Sequence, residues 1–371
     1  MSGQRDAFAC PQSQAIHSLR RLPMALHRLQ ITHLGPFEDI TFIFDEQINV
    51  FVGPNSSGKS TTLMALAHLV THPFVLPERL RRSTPATGLL RFVGRDGQMH
   101  EMATALPMTL RSPAQQDLRA HLLAVLGYST FIPALRQSTS FRSDGTLRPA
   151  VGHVEAIPEE LRIRAGLLPT DATLMRDEAI LAQMVEFADR SVRRNDPSLR
   201  RLLTQIGTIA SEILEGFPIE FWRIAEDREG RFPQFRTLDG NIALQVFSQG
   251  TQSVLQWLAY IIMGYARYYG YPANLPEQPG TIIIDEIDAH LHPTAQQRVF
   301  PVLRKHFPRL QIICSTHSPL MLAGLQAGQI QMLQRTSAGN VAVERNVQAI
   351  DTTSADALLK RFFGVQSAGN G

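Results

Sequence analysis

The stretch IIIDEIDAHLHP, residues 282–293, crowds Asp285, Glu286, Asp288, His290 and His292 into a few positions. Two chemistries use such side chains. Histidines and carboxylates can hold a transition metal. Alternatively, an Asp at the end of a buried strand can hold Mg²⁺ beside a nucleotide, while the acid after it polarises an attacking water. Thr281, Ile282, Ile283 and Ile284 read as that buried strand. They put Asp285 at its end with Glu286 next, which explains the acidic pair without a separate metal. The i,i+2 spacing of His290 and His292 could chelate zinc on an extended strand. Otherwise His290 lies near a subunit interface and His292 shapes the turn before Pro293.

A second stretch favours the nucleotide reading. GPNSSGKST runs through Gly53, Pro54, Asn55, Ser56, Ser57, Gly58, Lys59, Ser60 and Thr61. It fits G-x-x-x-x-G-K-[ST] and lies between an apolar strand and a helix, the context of a P-loop. Gly53 and Gly58 let the backbone curl so that N–H groups face phosphate oxygens, and the helix start favours the same charge. Lys59 reaches the β/γ-phosphates, and Ser60 offers a hydroxyl to Mg²⁺.

Two further segments end in polar residues. FSQGTQS, residues 247–253, opens a helix in which Ser248 and Gly250 make a second anion-binding start, or else Ser248 is an ordinary N-cap. With one P-loop per chain, a two-fold dimer would bring this start to the partner's nucleotide. CSTHSP, residues 314–319, follows an apolar strand, so His317 can hydrogen-bond a γ-phosphate or cap the next helix. Cys314 reads as a core residue. In FIPALRQS, residues 131–138, Arg136 or Gln137 contacts the phosphate or belongs to a solvated loop.

These residues need elements to hold them. Short strands are expected at 26–34, 40–44 and 48–52, then a helix at 58–71. A hairpin follows over 88–94 and 98–105, a helix near 114–126, and a strand at YSTFIPALR. Helical periodicity over 155–216 has one apolar face at Ile180, Met184 and Phe187. Another holds Leu199, Leu202, Ile206, Ile209 and Ile213, ending at Gly216. A hairpin at 220–240, helices at 249–268 and 294–307, strands at 281–285 and 310–314, a hairpin around 336–340 and a helix at 354–363 complete the chain. Strands alternating with helices give an α/β fold with its site at the strand C-termini. The expected division is a tail at 1–23, a head at 24–150 and 240–346, a helical lobe with hairpin at 151–239, and a C-terminal helix at 347–371. Met24 could be the true start.

Bulk properties suit this reading. Of 371 residues 44% are hydrophobic and 19% charged, as in a soluble globular chain with a sizeable core. The net charge of +3 is compatible with nucleic-acid binding without arguing for it. The only lysines are Lys59, Lys305 and Lys360, and two cysteines make neither a disulfide framework nor a CxxC zinc site. The N-terminus lacks the apolar core of a secretory signal, and the apolar run 254–266 is too short to span a bilayer. A cytoplasmic protein is expected.

In the order GPNSSGKST, FSQGTQS, IIIDEIDAHLHP, CSTHSP, residues 26–346 resemble the ABC-type ATPase heads of the SMC/RecF/OLD superfamily. They look closest to bacterial AAA-family proteins grouped with OLD-like and Septu-type defence ATPases. The resemblance implies a P-loop NTPase with a mixed sheet flanked by helices and an inserted helical lobe. It makes Asp285 and Glu286 the Walker B pair, Ser248 and Gly250 the signature, Asp288 the D-loop and His317 the switch histidine. It implies ATP and Mg²⁺, a homodimer or higher oligomer closing on ATP, and a nuclease or DNA acted on in trans, in antiviral defence or DNA repair. No TOPRIM nuclease is expected within the chain. Rival readings are a non-catalytic nucleotide-gated scaffold, a transporter ATPase subunit, or direct DNA binding through the Arg-rich segments at 79–83 and 190–201.

Overall fold

A computed structural model of the chain describes residues 25–70, 80, 84–93, 98–106, 128–132, 184, 188–189, 197–227, 230–270, 277–337, 339–350 and 355–363. The expected helix near 114–126, Arg136, Gln137, Ile180, Phe187 and most of 155–196 lie outside these residues.

The strands that carry the polar ends run as continuous apolar segments. In β3 (Ile48–Val52), β10 (Gly280–Ile284) and β11 (Leu310–Ser315) every residue is buried. Successive side chains of a strand point to opposite faces, so such a run must be covered on both. Ile48, Val50, Val52, Ile282, Ile284, Ile312 and Cys314 enter one core, while Phe51, Ile283 and Ile313 enter another.

These strands form a six-stranded sheet in the order β13-β12-β3-β11-β10-β6, with β6 at Tyr128–Ile132, β12 at Ile330–Arg335 and β13 at Val341–Arg345. All neighbours are parallel except the β12–β13 hairpin. The first core lies under helices α2 (Pro197–Ile213), α3 (Gln249–Tyr269) and α4 (Pro293–His306). The apolar face foreseen from Leu199 to Ile213 is buried there. Its neighbour Gly207 approaches Ile219 so closely that a Cβ would meet that carbonyl oxygen at 2.4 Å.

The other face holds α1 (Lys59–Val70) and a separate four-stranded antiparallel sheet ordered β2-β1-β4-β5. Its strands are β1 (Ala25–Leu34), β2 (Phe37–Ile43), β4 (Ala86–Val93) and β5 (Met99–Leu106). The positions of these strands follow the sequence reading, but their separation from the central sheet was not foreseen. The expected hairpin at 220–240 is β7 (Glu220–Asp227) and β8 (Gly230–Thr237), extended by a third short strand, β9 (Gly240–Ala243). A last helix, α5, covers Ala355–Phe363.

Buried amides join the two sheets. Gln311 is fully buried; its Oε1 accepts from Leu26 N at 2.8 Å, and its Nε2 donates to the Leu26 and Asp45 carbonyls at 2.9 and 2.8 Å. Gln329 Nε2 donates to Asp45 Oδ1 at 3.0 Å, and Gln331 Nε2 to the Ile43 carbonyl at 2.6 Å. Gln311 and Gln331 lie in β11 and β12 and Gln329 just before β12; all three are buried, so their amides carry the polar pairing that burial demands.

Candidate nucleotide site

Parallel order brings the sequence motifs to one end of the central sheet. Cys314 lies opposite Ile284, Ser315 opposite Phe51, and Met332 opposite Val52. The P-loop, the Asp285 turn and the His317 segment therefore leave adjacent strands on the same side.

The P-loop is packed too closely for side chains at its glycines. At Gly53, with φ 139°, a Cβ would meet the Leu333 carbonyl oxygen at 2.3 Å; at Gly58, with φ 102°, it would meet the Phe37 ring at 2.5 Å. Ser56 takes a left-handed φ of 61°. Pro54, Asn55, Ser56 and Ser60 are exposed, while Ser57, Lys59 and Thr61 are buried. Ser57 N donates to the Pro54 carbonyl at 3.3 Å, and Ser57 Oγ is buried without a hydrogen-bond partner among the described residues. Lys59 Nζ folds over the loop and donates to the Gly53 and Pro54 carbonyls at 2.8 and 3.0 Å. Burial pulls the Lys59 pKa below its usual value, and the charges of Asp285, Glu286 and Asp288 act in the opposite sense.

Asp285 is the first residue beyond β10, and its N–H donates to the Ile132 carbonyl at 2.8 Å. Ser315 organises the pair that follows. Its hydroxyl donates to Asp285 Oδ1 and accepts from Glu286 N at 2.8 Å. Glu286 has φ 53°, a conformation costly for a side chain bearing a Cβ, and the hydroxyl holds it there. Asp288 Oδ1 is buried without a hydrogen-bond partner among the described residues. The turn is closed by Ala289 N to the Glu286 carbonyl and Leu291 N to the Asp288 carbonyl, at 2.9 and 3.1 Å.

Ser248 and Gly250, expected to form the signature, lie at the start of α3, which packs on this turn. A Cβ on Gly250 would meet the His290 carbonyl oxygen at 2.4 Å. Ser248 is exposed and caps α3 by accepting from Thr251 N, bonding within its own turn rather than to the P-loop. Beside it, Leu214, Ser248, Gly250, His290 and Ala295 line an open pocket of about 270 Å³. His317 is exposed two residues past β11, and the neighbouring Thr316 N donates to the Phe51 carbonyl at 3.2 Å. The two histidines of the opening motif part company. His290 is exposed with φ 64°, whereas His292 holds the N-cap position of α4 without a side-chain capping bond, its Nδ1 2.8 Å from Thr294 Oγ1.

The residues fit a phosphate chain with a hard cation. Two glycine-lined approaches, an unpartnered buried hydroxyl at Ser57 and a lysine resting on replaceable carbonyl contacts make a cradle for anionic oxygen. The hydroxyl of Ser60 and the carboxylate of Asp285 are oxygen ligands of the kind Mg²⁺ takes.

Ser315 was missed in the sequence, although it stands directly after the apolar strand that must flank Asp285. Arg335 was missed as well. Its Nη2 donates to the Ser56 carbonyl at 3.1 Å from the end of β12, and no local pattern marks it.

The fold, a mainly parallel sheet with a P-loop, an acidic strand end and a glycine-backed helix start, is that of Smc head domains. An Smc head bound to the C-terminal winged-helix domain of ScpA superposes with a TM-score of 0.53 at 13% identity, covering 87% of this chain and 98% of that one. A second Smc head with an extended coiled coil, in complex with the C-terminal domain of ScpA from Pyrococcus furiosus, gives 0.50 at 12% identity, with 87% and 96% covered. Residues 48–323 match the family described as "AAA domain, putative AbiEii toxin, Type IV TA system", and the chain belongs to that family. It is 31% identical over 359 residues to "Septu protein PtuA" of Bacillus thuringiensis, covering 88% of this chain and 80% of that protein. It is 35% identical over 96 residues to "Retron Ec83 probable ATPase" of Escherichia coli, 25% of this chain. The chain spans 18% of that relative's length, and 17% of a second "Septu protein PtuA", from Bacillus mycoides. Among the described residues no helix is long and apolar enough to cross a membrane.

Proposed function

We propose that the chain is a cytoplasmic ATPase switch that pairs with a second copy around ATP and controls a DNA-acting partner, such as a nuclease. The observation that carries this reading is the parallel register that brings the P-loop after β3, the Asp285 turn after β10 and the His317 segment after β11 to one end of the sheet.

Lys59 exchanges the Gly53 and Pro54 carbonyls for the β- and γ-phosphate oxygens, while the curled backbone of residues 53–58 presents N–H groups to the same charge. Ser60 and Asp285 would hold Mg²⁺, which supplies charge neutralisation on the phosphates. Ser315 fixes the Asp285 carboxylate and the Glu286 backbone. Glu286 takes the proton of the attacking water, and His317 donates to the γ-phosphate, giving ADP and phosphate. Ser248, exposed at the start of α3, meets the partner's nucleotide, and Gly250, buried against the His290 carbonyl, lets that helix start sit close to the acidic turn. Relatives bearing Septu and retron names support a role in antiviral defence with a partner protein; DNA repair is the neighbouring alternative.

The test is the mass of the Glu286→Gln chain by light scattering, with and without ATP and Mg²⁺. Pairing that traps ATP raises the dimer population by mass action. A monomer in both states, with ATP bound, would overturn the paired-head reading. ATP turnover that survives Glu286→Gln would remove the residue from the chemistry.

A further inference from the structure

We propose that the turn between β12 and β13 is a clamp that sets the P-loop for nucleotide, with Arg335 as its positioning residue. The inference rests on the reading that the P-loop takes ATP.

Strand β12 runs past the end of β3. Its last pairing to β3 is Met332 with Val52, and the next three residues lie beside the P-loop. There the Leu333 carbonyl presses on Gly53, and the Arg335 guanidinium forks between two carbonyls, Nη2 on Ser56 and Nη1 on Gly339, each at 3.1 Å. Ser56 is the P-loop residue held at positive φ without being glycine. Its carbonyl must point away from the cradle if the N–H groups of the following residues are to point in, and Arg335 is what receives it.

The turn also reaches the opposite flank. Thr336 N donates to the Asn340 carbonyl at 2.8 Å and Gly339 N to the Thr336 carbonyl at 2.9 Å, which keeps the turn tight. Asn340 Nδ2 donates to Glu38 Oε2 at 2.9 Å, and Glu38 follows Phe37, whose ring abuts Gly58. The turn thus links both ends of the phosphate loop, Ser56 through Arg335 and Gly58 through Glu38 and Phe37. A planar fork suits this task; an ammonium is a point donor and cannot span the two carbonyls with the same geometry.

The experiment compares the full chain with its Arg335→Ala and Arg335→Lys variants, and uses Lys59→Ala as the control for nucleotide binding. The readouts are the Kd for a fluorescent ATP analogue with Mg²⁺, KM and kcat, and the thermal midpoint without nucleotide. Loss of a charged hydrogen bond to the loop should weaken binding about tenfold and raise KM more than it lowers kcat. Arg335→Lys should bind within about twofold of Arg335→Ala, and the nucleotide-free midpoint should stay with the parent. Full recovery by lysine would assign the effect to charge alone and overturn the clamp. Unchanged Kd in Arg335→Ala, or a loss confined to the nucleotide-free midpoint, would also overturn it. A folded parent that binds no nucleotide would remove the ATPase reading and the clamp together; a parent that binds ATP no better than Arg335→Ala removes the clamp alone.

Discussion

Gly250 and His290 touch backbone to backbone: a side-chain carbon on the glycine would come within 2.4 Å of the histidine's carbonyl oxygen. The start of α3 is thereby seated on the turn that begins with Asp285 and Glu286. Gly250→Ala should force the two apart at a cost of about 1–3 kcal/mol, a typical overpacking cost. ATP turnover should fall by more than the Lys59-dependent binding of ATP. Denaturant unfolding and steady-state ATPase assays on the same preparation check both parts.

Ser315 supplies the next prediction. Ser315→Ala removes the partner of Asp285 Oδ1 and leaves Glu286 N–H unpaired in a strained conformation. The expected stability loss is about 1–3 kcal/mol, that of a buried donor without an acceptor. kcat should drop while the Kd for ATP without Mg²⁺ holds, because the phosphate cradle is untouched. An unchanged kcat would mean that Asp285 and Glu286 hold their places unaided.

Lys59 gives a pH dependence with a definite sign. Burial lowers its pKa in the folded chain below the usual 10.5. Between the folded value and 10.5 the unfolded chain keeps a proton that the folded chain has released. Stability contributed by this group therefore rises with pH through that window, and is lost as pH falls through the folded pKa. Lys59→Met should flatten the rise and abolish ATP binding. Unfolding free energy followed from neutral pH towards 10.5, for parent and variant, decides it.

Gln311→Leu tests the seam between the two sheets. It leaves the Leu26 N–H and two carbonyls without their buried partner, for an expected loss of about 2–4 kcal/mol. The candidate nucleotide site lies at the other end of β11, so ATP affinity of the folded variant should match the parent. Chemical denaturation and nucleotide titration separate the two effects.

The site was legible where a local pattern carries the chemistry. Gly53 and Gly58 announce a curled loop because other residues resist those backbone angles. An apolar run stopping at Asp285 announces a buried strand with a polar end. Ser315 was hidden because its role depends on which strand lies beside β10, and pairing between distant strands leaves no local mark. The same reason concealed the four-stranded sheet. β4 alternates buried and open positions throughout and β1 does so over Arg28–Thr32, but nothing in either names its neighbour. Arg335 combines both obstacles, being an exposed arginine 279 residues from the carbonyl it holds.

The pairing of β6 with β10 has a mechanical corollary. Gly280 lies opposite Tyr128 and Ile284 opposite Ile132, and the Asp285 N–H that follows is held by the Ile132 carbonyl. A one-residue slip between paired strands turns every side chain to the other face. The edge strand therefore works as a depth gauge, fixing how far along the sheet the acidic turn begins.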